Sequence, residues 1–229
     1  MFKRLYMLIK IGRKLATSGV TNSIYKIYNP PTLIKIFFSI LGMGKNNNFN
    51  SNLNSSGEQL CKTLQEMGTT FIKLGQFLAT RPDIIGENLA SDLEKLQDKL
   101  PPFGSEKAKS ILREELGNDN YNKIENFSPP IAAASIAQVH FADITENNKK
   151  KTVAIKILRP EIEKIFNEEL DALMLLAYFI ETVVKKTKRL KLVETVFLLK
   201  EITNIEMDLR FEAAAANELY ENTKNDIGF

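Results

Sequence analysis

At 229 residues, with 44% apolar and 26% charged side chains, the chain can bury one sizeable core, and a long polar lead-in argues against two independent ones. The net charge of +3 hides a segregation: residues 1–57 carry eight Lys/Arg and no acid, leaving 23 basic against 28 acidic residues elsewhere. No basic patch interleaved with aromatics continues into the folded part, so a nucleic-acid partner is not expected, and no uncharged apolar window exceeds nine residues, far short of the roughly 20 that span a bilayer.

The lead segment pairs Lys3, Arg4, Lys10 and Arg13 with Phe2, Leu5, Tyr6 and Ile9. Such a mixture suits an anionic membrane surface, with lysines at headgroups and apolar side chains inserted shallowly; the alternative is a solvated lysine-rich tail. Lys10 and Arg13 interrupt the only candidate secretory core, so no export is implied and any membrane contact is peripheral, at the inner face. Cys61 is the sole cysteine, which leaves no intrachain disulfide and fits a reducing, cytoplasmic compartment, with Cys61 as a core residue.

Pro30 and Pro31 interrupt the lead, and Asn46–Gly57 is a polar linker, so the segment 1–57 is set apart. Leu60, Leu64, Met67, Phe71, Leu74 and Leu78 then recur at steps of three and four, which predicts one buried helical stripe, with Lys73, Gln76 and Thr80 on a polar face. Gly75 between them removes a side chain where another backbone could approach. Leu89–Leu100 reads as a second helix stopped by Pro101 and Pro102, and Ser105–Leu116 as a third, capped by Ser105 and ended by Gly117. Ile136–Ala142 and Thr152–Leu158 read as an antiparallel hairpin joined by the polar stretch Asp143–Lys151. Pro160 opens a helix with Glu161 and Glu163 in its first turn and an apolar face from Ile162 to Val183, closed by Lys185 and Lys186. A last helix is predicted from about Val193 to Asn222.

Val153-Ala154-Ile155-Lys156 has the form of a strand that fixes a phosphate-gripping lysine, provided a helix carboxylate holds the ammonium. Taken alone, these four common residues read rather as a sheet strand with one exposed lysine. The order of further patterns adds to this: Lys73-Leu74-Gly75-Gln76 with Arg81 and Asp83, Leu96-Gln97-Asp98 with Pro101-Pro102, the run Ala132-Ala133-Ala134-Ser135 within Pro130–His140, and Glu206-Met207-Asp208 continuing through Arg210–Asn217. In these segments, spanning roughly residues 59–222, the chain resembles the UbiB-like atypical kinases, also called aarF-domain proteins, of ubiquinone biosynthesis. Ile85-Gly86 departs from that family's usual Leu-Pro, a difference confined to a local turn.

The resemblance implies an α+β fold: an atypical kinase-like N-lobe in residues 129–229, preceded by a helical extension in 58–128. It implies that Lys156 contacts ATP phosphates and pairs with Glu212, that Ala132, Ala133, Ala134 and Ser135 form an alanine-rich loop in place of a glycine-rich one, and that Lys73 and Gln76, faced by Glu206 and Asp208, fold over the site and restrict access. By helical spacing Asp208 and Glu212 share a face, and Glu206 with Arg210 reads alternatively as an ordinary surface pair. No Asp-Phe-Gly and no His-x-Asp follows Lys156, so no catalytic residue and no metal ligand is assigned. The chain is therefore expected to be the N-terminal portion of such an enzyme, lacking the C-lobe, with Mg²⁺ expected only once a C-lobe is supplied. Its expected partners are an anionic membrane surface, and a separately encoded C-lobe or ubiquinone-biosynthesis proteins. The alternative is a noncatalytic membrane- or partner-binding module.

Overall fold

A computed structural model describes residues 2–17, 32–42, 56–96, 100–146 and 148–226. Most of the Asn46–Gly57 linker, together with Gln97 and Asp98, lies outside the described residues. The described part is helix-rich with one small antiparallel sheet, an α+β arrangement that divides into two units. One unit is Met1–Asp98 with Lys164–Lys200, and the other is Lys99–Glu163 with Glu201–Phe229. The segments 58–128 and 129–229 each contribute to both.

In the helical unit, α1 (Phe2–Thr17) packs on α2 (Thr32–Gly42), and Lys14 Nζ of α1 donates to the Glu66 carbonyl of α3 (Ser56–Met67). The predicted single stripe is two helices, because Gly68 takes φ 107° and separates α3 from α4 (Thr69–Ala79). The break redirects burial: Thr70 and Ile72 are fully buried beside Phe71, whereas Leu74 and Leu78 are only half-buried. Gly86, at φ 84°, likewise separates α5 (Pro82–Ile85) from α6 (Glu87–Leu93), so the helix expected over Leu89–Leu100 starts two residues earlier and stops seven short. Cys61 is half-buried, and its Sγ donates to the Asp92 carbonyl at 3.3 Å; burial raises the thiol pKa.

The long α8 (Ile162–Val183) opens later than expected, because Glu161 sits at φ 56° in a turn and only Glu163 remains in the first helical turn. Phe166, Leu170, Ala172, Leu173 and Ala177 are buried, but Ile165 and Val183 are exposed, so the apolar run is wider than the face it buries. Lys185 and Lys186 fall in a separate 3-10 turn, Lys185–Leu190, that leads into α9 (Leu192–Met207). An Asp171–Lys200 ion pair at 3.3 Å ties α8 to α9.

The sheet unit starts with α7 (Ser105–Tyr121), whose cap residue is Gly104, not Ser105; the helix kinks at Gly117, φ 72°, and resumes beyond it. The expected hairpin is present but longer: β3 (Ala137–Glu146) and β4 (Lys149–Leu158) pair along their full lengths, so most of the stretch read as a connection is strand. Two short strands absent from the sequence reading, β1 (Ile124–Glu125) and β2 (Pro130–Ala133), pair antiparallel with β3. Ile155 and Ile157 face α7 and pack with Ala108, Leu112, Phe103 and Phe127, which is the alternation expected of β4. The predicted last helix is also divided: Asp208, at φ −85° and ψ 88°, ends α9 and caps α10 (Leu209–Thr223).

Candidate functional site

Antiparallel register builds the site from the sheet outward. Ala132 pairs with Val139 and Val139 with Lys156, so these three residues form one row across β2, β3 and β4, on the face away from the α7 core. Lys156 Nζ lies 2.5 Å from Glu212 Oε2 on α10, with the lysine side chain 34% and the glutamate 59% exposed. An ion pair this open contributes little to stability, about 0.2–1 kcal/mol, while leaving its ammonium within reach of a ligand anion. β4 sets the depth of the lysine and α10 supplies its counter-charge.

The alanine segment is not wholly a loop. Ala132 and Ala133 are strand, and the turn is confined to the residues between Ala133 and Ala137, closed by Ala134 N–H donating to the Ala137 carbonyl at 2.8 Å. Ser135 is fully buried, so its hydroxyl is not presented to a ligand, whereas Ala132 is exposed. Phosphate chemistry therefore fits Lys156 better than it fits the turn, whose Ala134 amide is already engaged.

Sequence reasoning missed what holds this turn. The Arg159 guanidinium donates to the Ala134 carbonyl from Nε at 3.1 Å and from Nη2 at 2.8 Å, and Nη2 also reaches the carbonyls of Leu100 at 3.3 Å and Pro101 at 3.0 Å, above the Phe103 ring. One planar fork thereby joins the alanine turn to the Pro101-Pro102 segment. On the buried face of β3, Gln138 accepts from Phe103 N–H at 2.9 Å and donates to its carbonyl at 3.2 Å. His140, stacked on Phe127, donates from Nδ1 to the Ser128 carbonyl at 2.8 Å, and its Nε2 accepts from the Gln138 amide at 2.9 Å. A neutral imidazole with its proton on Nδ1 satisfies every partner, so this histidine is a structural pin. The available signals were an arginine directly after the strand and two polar residues spaced by two on a buried strand face.

Asp208 takes a role that helical spacing did not suggest. Its carboxylate accepts from Arg210 N–H at 3.1 Å and binds the Arg210 guanidinium at 2.8 and 2.6 Å. The Arg210 hydrogen bonds hold the Asp208 carboxyl below its ordinary pKa. Asp208 is a cap and not a helix-face neighbour of Glu212, and the arginine read as a Glu206 partner is bound to Asp208. Glu206 lies exposed in the last turn of α9.

Lys73 and Gln76 belong to the helical unit, half-buried on α4. Between them, Gly75 meets side chains and not the backbone that was expected: a Cβ there would lie 2.6 Å from Leu96 Cδ2 and 2.8 Å from Leu64 Cδ1. The following Arg81 and Asp83 form a two-pronged ion pair at 2.8 and 2.7 Å. Among the described residues no cluster of three His, Cys, Asp or Glu could hold a metal ion, and no helix is long and apolar enough to cross a membrane.

Residues 95–229 match the ABC1 atypical kinase-like domain. The chain is 39% identical over 196 residues to a protein of Marinobacter nauticus described as "Probable protein kinase UbiB", covering 85% of this chain and 35% of that one. Proteins of the same description from Shewanella woodyi and Vibrio cholerae are 37% and 36% identical, over 72% and 74% of this chain and 30% and 31% of theirs. The chain thus spans about a third of the length of these relatives. With a domain match over more than half of its residues, the chain belongs to the ABC1 atypical kinase-like family, the family of the UbiB proteins.

Proposed function

We infer that this chain carries the ATP-phosphate-gripping half of a UbiB-like kinase or ATPase that supports ubiquinone biosynthesis at a membrane surface. The observation that carries the reading is the 2.5 Å contact between the strand lysine Lys156 and the helix acid Glu212. A lysine anchored on a strand and oriented by a carboxylate is what phosphate positioning requires. In this reading Lys156 binds the nucleotide and the alanine segment Ala132–Ser135, strand end and turn together, shapes its edge. Restriction of access is assigned to Lys73, Gln76, Glu206 and Asp208 by the family resemblance, and Mg²⁺ joins when residues of a C-lobe are supplied. Residues 1–57 hold the protein peripherally at the inner face of the membrane.

Binding of a fluorescent ATP analogue tests the nucleotide role without demanding turnover. Lys156→Ala is expected to weaken binding at least tenfold and Glu212→Gln by less, because the ammonium remains. Equal affinity of Lys156→Ala and the parent chain would sink the reading. The pathway is tested separately: a strain lacking the protein and any redundant copy should lose ubiquinone, and unchanged levels would remove that assignment. A second reading, a noncatalytic binding module, draws support from the engaged Ala134 amide, which weakens the phosphate cradle. It predicts no saturable ATP binding by the parent chain.

A further inference from the structure

Within the helical unit, the end of the α8–α9 hairpin combines two features that neither helix needs for its own core. On α8, Leu175, Tyr178, Phe179 and Val183 are 44%, 57%, 56% and 40% exposed, and their spacing places them on one helical face. On α9, Phe197 and Leu198 are 58% and 46% exposed. From the end of α8 to the start of α9, residues 182–193 contain Lys185, Lys186, Lys188, Arg189 and Lys191 and no acid. Lys191 pairs with Glu194 at 2.9 Å, while Lys188 and Arg189 stand exposed on the turn.

The turn itself is built. Leu190 is buried, Thr187 Oγ1 donates to the Val184 carbonyl at 2.7 Å, and the Glu181 carboxylate accepts from Val193 N–H at 3.1 Å. A fixed tip bearing aromatic side chains beside a basic run is complementary to an interface that is anionic at its surface and apolar just beneath it. An apolar protein surface would not call for the cations, and an acidic protein surface would not call for Tyr178, Phe179 and Phe197.

We propose that the α8–α9 hairpin tip is a docking element for anionic phospholipid bilayers, with Lys188 and Arg189 at the headgroups and Tyr178, Phe179 and Phe197 inserted among them. This goes beyond the nucleotide reading and does not depend on the basic lead segment.

The chain has no tryptophan, so Phe179→Trp and Phe197→Trp each install a lone fluorophore at an exposed position. Full-length variants would be mixed with phosphatidylcholine vesicles with and without about a third phosphatidylglycerol, alongside Tyr6→Trp as a reporter of the lead segment. Both hairpin reporters are expected to shift to the blue with anionic vesicles only. Adding Lys188→Glu with Arg189→Glu should weaken the apparent vesicle affinity at least tenfold, given the contribution of each basic residue near an anionic surface. Failure of the chain to bind vesicles, or a shift at Tyr6→Trp with none at the hairpin, overturns the proposal; the second result leaves the lead segment as the anchor. A shift that grows with protein concentration in the absence of vesicles assigns the face to a second copy and overturns it as well.

Discussion

Arg159 concentrates more structural consequence than any other side chain near Lys156, because its fork satisfies carbonyls from two chain segments that have no ladder between them. Hydrogen bonds from a charged donor are each worth about 1.5–3 kcal/mol, so Arg159→Ala should destabilise the protein by about that much or more in chemical denaturation. Arg159→Lys should recover little, since one ammonium cannot reproduce the fork. Asp208 gives a pH signature instead. Its folded-state pKa is depressed by Arg210, so its contribution is present above the unfolded value near pH 4 and lost as pH falls through the folded value. The stability gap between the parent and Asp208→Ala should therefore close as pH is lowered from 5 toward 3. Asp208→Asn, which keeps a capping oxygen, should follow a flatter profile, with circular dichroism melts as the measurement.

At the scale of elements, glycines determine where the helices stop and how closely they pack. Gly68, at φ 107° and ψ −170°, occupies a region open essentially to glycine, so Gly68→Ala should cost about 1–3 kcal/mol although nothing crowds the position. At Gly75 the conformation is ordinary and the crowding is real: Gly75→Val would press on Leu64 and Leu96, with an expected loss of about 1–3 kcal/mol, read as a lowered urea midpoint. These two residues also show what the sequence could and could not disclose. Apolar periodicity runs through Gly68 without interruption, so the stripe was legible and its division was not, since a backbone angle leaves no mark on spacing. Asp208 was hidden in the same way inside a continuous helical pattern. The β3–β4 hairpin and the Lys156–Glu212 contact were legible, one from alternation and the other from ordered motifs. β1 and β2 were not, because strands of two and four residues carry too little pattern to register. Arg159 escaped because its partners are backbone carbonyls, which every residue has.

For the whole molecule, the governing feature is that each unit is assembled from two separated stretches. The buried side chains of α8, Phe166, Leu170 and Leu173, belong to the same unit as the buried Thr70, Phe71 and Ile72 of α4, so the helical unit is completed from about a hundred positions further along the chain. A chain ended at residue 163 would lack Phe166, Leu170 and Leu173 and should bind a hydrophobic dye without a cooperative melt. During synthesis at roughly 5–20 residues per second, the first helices leave the ribosome several seconds before α8 arrives to complete their unit. The newborn chain thus passes through a stage in which the helical unit lacks one of its two stretches, and a chaperone that shields exposed apolar surface should raise its yield in a cell-free extract.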